Sequence, residues 1–212
     1  MGRRGLALVL GLLLAGCTQE VEAPQPRRER PVAPIAALQA GDLLSPGVQD
    51  KDGNLFVTVE PEECSGIARE VDPPFIFGHA PVATDGGHTV VAGTPEVYIE
   101  EMVGVYHADF DAPGALVDAR RSMQTCGSQQ FTVTSMRGRK YLFHLLPQHD
   151  SGSADIVLWS FRSDDWACDN AFVAAHNAAI GIATCSAVGG YDVLSLARDA
   201  LKRIETLANT TA

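Results

Sequence analysis

The chain lacks the sequence signatures that usually identify an enzyme. It contains no Gly-x-Ser-x-Gly turn, no phosphate-binding glycine loop and no His-Glu-x-x-His helix. Its six histidines share no spacing suited to a metal; they are His79, His88, His107, His144, His149 and His176. Each is interpreted as an ordinary core or surface histidine, and we expect neither a metal nor another cofactor.

Basic residues are also few. The chain has 16 Lys and Arg against 26 Asp and Glu, which gives a formal net charge of -10. Such a chain is repelled by phosphate backbones, so nucleic acid and direct adhesion to anionic lipid headgroups are not expected. Simple solubility also explains the acidity, and the 46% hydrophobic content fits one globular domain of ordinary size.

The apolar run at the amino terminus is too short to span a membrane. Leu6 to Leu14 is about half of the ~20 residues that a spanning helix needs. Arg3 and Arg4 precede it, and it leads into the sequence Leu-Ala-Gly-Cys ending at Cys17. Residues 1–16 are therefore interpreted as a signal peptide that ends in a bacterial lipobox.

The resemblance to lipoprotein signals implies cleavage after Gly16 and a diacylglyceryl thioether on Cys17. Membrane lipid would then be a partner through Cys17, and the protein would stay on the extracytoplasmic face of the cell membrane. The alternative is an ordinary signal peptide with an incidental cysteine.

Cysteine parity favours lipidation. The chain has five cysteines, and removing Cys17 leaves four that can pair outside the cytoplasm. The four are Cys64, Cys126, Cys168 and Cys185. They show no close Cys-x-x-Cys spacing, so two structural disulfides are expected, with metal binding as the alternative.

Residues 17–34 combine the lipidated cysteine with a proline-rich tether. Four prolines lie among polar residues, and almost nothing apolar is available to bury. The segment should therefore act as a semi-rigid spacer between the membrane and a domain at residues 35–212.

Within that domain, apolar periodicity predicts helices and strands that are grouped rather than alternating. Helices are expected at Ile35–Leu44, at Ala115–Cys126 after a cap at Asp109 or Asp111, and after Asp192. Strands are expected at Leu55–Val59, Val97–Tyr106, Phe131–Ser135, Tyr141–Leu146 and Ile156–Phe161, and a long loop at Asp72–Gly93. The prediction is a single α+β domain with a mainly antiparallel sheet flanked by helices.

The segment after Cys168 has two interpretations. His176 and Asn177 can form a two-residue hairpin turn, in which Asn177 suits a positive φ. In that register Cys168 faces Cys185 at a non-hydrogen-bonded position, where a disulfide fits. The alternative is an alanine-rich helix over residues 171–179.

Several clusters of polar residues are candidate binding sites. Asp109 and Asp111 are better explained by helix capping than by a cation. The pairs Glu62-Glu63, Glu100-Glu101 and Asp164-Asp165 are interpreted as solvated charges, although Glu101 interrupts the apolar face of its strand. Arg137, Arg139 and Lys140 are interpreted as a solvated turn, and Trp166 as packing over the disulfide rather than stacking on a ligand.

The carboxy-terminal part resembles a known family. The resemblance is carried by Trp166-Ala167-Cys168-Asp169-Asn170-Ala171-Phe172, by His176-Asn177 and by Ala183-Thr184-Cys185. The family is the mycobacterial sensor domain found outside the membrane on the serine/threonine kinase PknH and in many actinobacterial lipoproteins. In the family pattern an arginine and a valine stand where this chain has Asn170 and Ala178. Further matching pieces are Leu43-Leu44-Ser45, Glu63-Cys64-Ser65-Gly66, Val105-Tyr106 and Cys126, so the resemblance covers about Leu38 to Leu207.

This resemblance implies pairing of Cys64 with Cys126 and of Cys168 with Cys185. It also implies an α+β fold with a solvent-facing cleft and a sensory role, and it supplies no established enzyme activity. The leading hypothesis is a membrane-anchored sensor or binding module for a small molecule, an envelope component or a protein. The alternatives are an envelope hydrolase or transferase with an unfamiliar site, and a structural envelope lipoprotein.

Overall fold

Eight strands form one continuous antiparallel sheet. The computed structural model describes residues 33–48, 53–127 and 129–210. The strands are β1 (Phe56–Glu60), β2 (Ala83–Val91), β3 (Val97–Val105), β4 (Gln130–Ser135), β5 (Lys140–Leu145), β6 (Ile156–Arg162), β7 (Ala167–Ala175) and β8 (Ala178–Ser186). Their order across the sheet is β1-β4-β5-β6-β7-β8-β3-β2. The strands from β4 to β8 follow one another as a meander, while β3 and β2 extend the sheet beyond β8.

Helices cover both faces of this sheet. They are 3-10 helices at Ala37–Leu43 and Glu62–Cys64, and α-helices α1 (Ser65–Ala68), α2 (Pro74–Phe77), α3 (Ala112–Cys126) and α4 (Val193–Thr210). One face carries α1, α2 and α3 over a core rich in aromatic residues. The other face carries α4 and the first 3-10 helix over a core of aliphatic residues. The central strands β7 and β8 are thus buried on both sides, and the predicted α+β class is confirmed.

The hairpin interpretation of the segment after Cys168 is confirmed, and the helical alternative is wrong. Ala175 pairs with Ala178 around the turn, and Cys168 lies opposite Cys185 with a Cα–Cα distance of 4.1 Å. The disulfides join Cys168 to Cys185 and Cys64 to Cys126, as expected.

The turn itself differs from the prediction in one respect. The positive φ, of 52°, belongs to His176 and not to Asn177. The Asn177 side chain is instead 3% exposed and makes three hydrogen bonds to backbone groups. It accepts from Ile35 N, and it donates to the carbonyl oxygens of Ile35 and Tyr106. It therefore ties the start of the domain to the hairpin turn.

Local capping matches the sequence pattern at both long helices. The Asp111 carboxylate accepts a hydrogen bond from Gly114 N at 3.0 Å, and Asp192 accepts one from Ser195 N at the start of α4. Such contacts satisfy backbone donors that the first helical turn leaves unpaired.

The long loop predicted at Asp72–Gly93 is wrong, because this segment contains α2 and β2. Strand β2 pairs with β3 over its whole length, from Ala83 opposite Val105 to Val91 opposite Val97. It is an edge strand that buries no side chain fully, and it includes Gly86 and Gly87. Because β2 is held by backbone pairing with β3 and buries no side chain fully, its sequence needs little alternation of apolar and polar residues.

The interpretation of Glu101 as a solvated charge is also wrong. Glu101 is 1% exposed beneath α4. Its carboxylate accepts hydrogen bonds from Ser45 N at 2.8 Å, from Ser45 Oγ, and from the Arg203 guanidinium at 3.2 Å. The alternation of β3 turns it toward the aliphatic core, and Arg203 compensates its charge there.

The predicted signal peptide, the lipidation site Cys17 and the tether up to residue 32 lie outside the described residues. Within the part of the chain that is described, no helix is both long and apolar enough to cross a membrane.

Candidate ligand-binding pocket

A pocket opens on the aromatic face of the sheet, between the central strands and the segment Ser65–Phe77, which we call the roof. Including its open mouth, the pocket has a volume of about 480 Å³. Most of its lining is apolar, and the side chains that define it are Phe75, Ile76, Met102, Trp159, Phe172 and Ala183, together with the polar groups Glu70, Glu100 and Asn170.

The roof is held in place at several points. The Cys64–Cys126 disulfide joins its beginning to the end of α3. The Trp159 indole donates a hydrogen bond to Ile67 O at 2.8 Å, and the Tyr106 hydroxyl donates one to Ile76 O at 2.9 Å. These contacts satisfy backbone carbonyls in the short helices α1 and α2, so the roof is fixed by tertiary contacts rather than by helix propensity.

The floor of the pocket is a row of residues across four strands. Trp159 of β6 lies opposite Asn170 of β7, Asn170 lies opposite Ala183 of β8, and Ala183 lies opposite Glu100 of β3. Ala183 has a small side chain, and its neighbour on the same face of β8 is Gly181. The two together leave space between the larger side chains on either side.

Asn170 has an unusual environment. Its side chain is 3% exposed, and its amide nitrogen Nδ2 has no hydrogen-bond partner. Buried polar groups in folded proteins are nearly always paired. An unpaired donor on the floor of a pocket is therefore available to a bound molecule.

Two carboxyl groups face the same space. Glu70 follows α1 in the roof, where its Oε2 accepts a hydrogen bond from Phe56 N at 2.7 Å. Burial raises the pKa of Glu70 to about 7, although this hydrogen bond opposes the shift. Burial, together with the nearby charge of Glu70, raises the pKa of Glu100 to about 9. At neutral pH the pair therefore holds more than one proton on average.

Most residues singled out in the sequence lie away from this pocket. Trp166 lies between the rings of Tyr98 and Tyr141, at centroid distances of 5.8 and 6.3 Å. Arg139 pairs with Asp165 at the surface. The described residues contain no group of three or more His, Cys, Asp or Glu side chains arranged to hold a metal ion.

Sequence reasoning missed the pocket residues Glu70 and Trp159 and interpreted Glu100 as solvated. Only Asn170 carried a signal, since it stands where the family pattern has an arginine. Its significance depends on its position in the floor, which the sequence alone does not reveal.

Comparison with known proteins agrees with this architecture. The family model described as the PknH-like extracellular domain matches residues 32–203. The chain belongs to this family. The PknH-like fold is also seen in the crystal structure of the extracellular domain of PknH from Mycobacterium tuberculosis, which is 17% identical in sequence with a TM-score of 0.61. That match covers 84% of this chain and 98% of the solved one. A comparison with curated protein sequences finds no significant match.

Membership in the PknH-like family makes this an extracytoplasmic domain, in agreement with its two disulfides. The low identity to the solved structure means that the shared feature is the fold. The chemistry of the pocket is therefore argued from this chain's own residues.

Proposed function

We propose that this protein is a lipid-anchored extracytoplasmic lipoprotein whose PknH-like domain acts as a sensor by binding a ligand in the roofed pocket. The lipobox ending at Cys17 and the proline-rich residues 17–34 support anchoring on a spacer. Such an arrangement concentrates a binding domain near the envelope while leaving it free to sample its surroundings.

One observation carries the binding proposal. The pocket combines apolar walls with a few polar side chains, among them Glu70, Glu100 and Asn170, and Asn170 is buried with an unpaired donor. Apolar walls with a few convergent polar groups are the usual composition of a small-molecule site. The disulfide and the two hydrogen bonds that hold the roof favour a pocket that exists before the ligand arrives.

Binding is tested by mass spectrometry of small molecules that the native protein retains after gentle purification. Ala183→Met should fill the pocket and lose the retained molecule. Ala187→Met is the matched control, because Ala187 is exposed beyond the end of β8. A molecule retained equally by both variants binds elsewhere and contradicts this assignment of the site.

Anchoring is tested separately with Cys17→Ser. We expect this variant to leave the membrane fraction or to accumulate unprocessed, since it lacks the thiol that receives the lipid. Intact-mass measurement of a mature, membrane-bound wild-type chain with an unmodified Cys17 would refute lipidation.

A second candidate function is an envelope hydrolase or transferase, and the two carboxyl groups are the observation that favours it. Carboxyl groups with separated pKa values, here about 7 and about 9, are a usual form of an acid–base pair. The test is to find a substrate that the wild type turns over and that neither Glu70→Gln nor Glu100→Gln turns over. Such a result would favour the catalytic function over the binding function.

A further inference from the structure

The polar groups of the pocket specify the kind of ligand that it can hold. Asn170 Nδ2 is a buried donor without a partner, so the ligand must offer an acceptor at the floor. Glu100 is two places along the same row, on the other side of Ala183, and Glu70 approaches from the roof. Two carboxylates brought together in an apolar space repel each other, and a cation between them relieves that repulsion.

Among the described residues, neither Glu70 nor Glu100 forms an ion pair with a basic side chain. Arg69 in the roof is the one basic residue in the lining, but its Nε donates to Val71 O and its guanidinium lies 3.9 Å from Asp72. His88 of β2 lies opposite Glu100 in the strand pairing, outside the pocket lining. The floor strands β6, β7 and β8 contribute no charged side chain to the lining.

A divalent metal is a poorer match for this arrangement than an organic cation. Calcium takes six to eight oxygen ligands as a rule, and the lining supplies two carboxylates and one amide among apolar walls. The aromatic side chains of Phe75, Trp159 and Phe172 suit an apolar body attached to the cation, and aromatic faces also attract ammonium groups.

We propose that the pocket binds a small organic amine, with its ammonium group between Glu70 and Glu100 and a neighbouring hydroxyl or carbonyl oxygen on Asn170. This rests on the proposed ligand-binding function and defines its ligand class. The apolar part of the amine packs against Phe75 and Trp159. Ionised carboxyl groups bind the ammonium group, so binding is accompanied by release of protons from the pair.

The test compares three probes that differ in one group each. Phenylalaninol has an amine, a hydroxymethyl group and an apolar ring. The probe 3-phenyl-1-propanol lacks the amine, and 2-phenylethylamine lacks the hydroxymethyl group. We expect calorimetry to show phenylalaninol binding about tenfold or more tightly than 3-phenyl-1-propanol, because charge-assisted hydrogen bonds are the stronger kind. Its affinity should also rise severalfold between about pH 6 and about pH 8, as the carboxyl groups ionise.

Single-residue variants show which side chain recognises the amine and which recognises the hydroxyl of the probe. Glu100→Gln keeps the size of the side chain and should abolish the preference for the amine, while Asn170→Ala should abolish the preference for phenylalaninol over 2-phenylethylamine. The matched control is Glu205→Gln, an exposed change on α4 at the other face of the sheet, which should leave both preferences intact. Thermal unfolding of each variant checks that it is folded, and the pH dependence of the wild type tests the inference independently of any variant.

Equal affinity of the wild type for phenylalaninol and 3-phenyl-1-propanol would overturn the inference. So would binding of calcium alone that Glu100→Gln abolishes, in the absence of any amine preference. The proposed function survives either result if a retained molecule is still lost in Ala183→Met, and it fails if no retained molecule depends on Ala183.

Discussion

Glu100 and Glu101 are consecutive in β3, and their side chains lie on opposite faces of the sheet. Glu101 reaches the aliphatic core and pairs with Arg203 of α4 at 3.2 Å. Glu100 reaches the pocket, where the charge that acts on it is that of another carboxylate, Glu70. One step along the strand thus separates a buried ion pair from a carboxyl group with a strongly raised pKa.

Removing the partner of Glu101 should destabilise the domain. Arg203→Met leaves the buried Glu101 carboxylate without its ion-pair partner and with only the hydrogen bonds from Ser45, which costs roughly 3–5 kcal/mol of unfolding free energy. Urea unfolding measures this loss. Arg198→Met, an exposed change on the same helix, should stay within about 0.5 kcal/mol of the wild type. Equal effects of the two changes would contradict the role of the ion pair.

Stability should fall as the pH rises through the range in which the pocket carboxyl groups ionise. The folded pKa of Glu100 is about 9 against 4.5 as its ordinary value, so between these values the folded state binds more protons than the unfolded state. The free energy of unfolding therefore decreases as the pH rises from about 4.5 to about 9, because ionisation of Glu100 is less favourable in the folded state. Glu100→Gln should gain stability relative to the wild type between about pH 6 and about pH 9.

Urea unfolding across this pH range provides the measurement, and Glu205→Gln should retain the wild-type slope. Parallel pH profiles of the wild type and Glu100→Gln would show that Glu100 titrates normally in the folded state.

The disulfide at the start of the roof should matter for the pocket as well as for stability. Replacing both Cys64 and Cys126 by Ala opens a loop of 62 residues and should cost about 4 kcal/mol. The matching change at Cys168 and Cys185 opens a loop of 17 residues and should cost about 3 kcal/mol. Limited proteolysis should cut the roof first in the variant that lacks Cys64 and Cys126. First cleavage elsewhere would mean that the hydrogen bonds from Trp159 and Tyr106 are sufficient to hold the roof.

Asn177 should contribute to stability although it lies in a turn. Asn177→Ala removes three buried hydrogen bonds to Ile35 and Tyr106 and should cost roughly 2–4 kcal/mol in thermal or urea unfolding. His176→Asn is the control, since asparagine tolerates the positive φ of that position, and it should change stability by less than about 0.5 kcal/mol. A small effect at Asn177 would mean that water replaces its hydrogen bonds.

The parts of the fold that could be predicted are those fixed by local rules. The two-residue turn sets the register of β7 and β8, so the position of Cys168 opposite Cys185 follows by counting. Strand β2 could not be recognised in the same way, because an edge strand with Gly86 and Gly87 has little apolar alternation.

The pocket could not be predicted because sheet topology creates it. Glu70, Glu100 and Asn170 are far apart in the chain, and they share a pocket only because β3 lies next to β8 and the roof folds over both. Their individual environments, which raise two pKa values and leave one donor unpaired, depend on burial that no local pattern encodes.

The pairing of β3 with β8 also sets the order in which the molecule can be completed. Tyr98 of β3 lies opposite Cys185 of β8, near the end of the domain. The edge of β3 that pairs with β8 therefore stays unpaired until almost the whole domain has been synthesised. Contacts between such distant segments require the closure of a long loop and form slowly. During synthesis, the β2–β3 hairpin therefore lacks its neighbour in the sheet until β8 is available. The pocket floor spans both β3 and β8, so it cannot be completed before β8 is available.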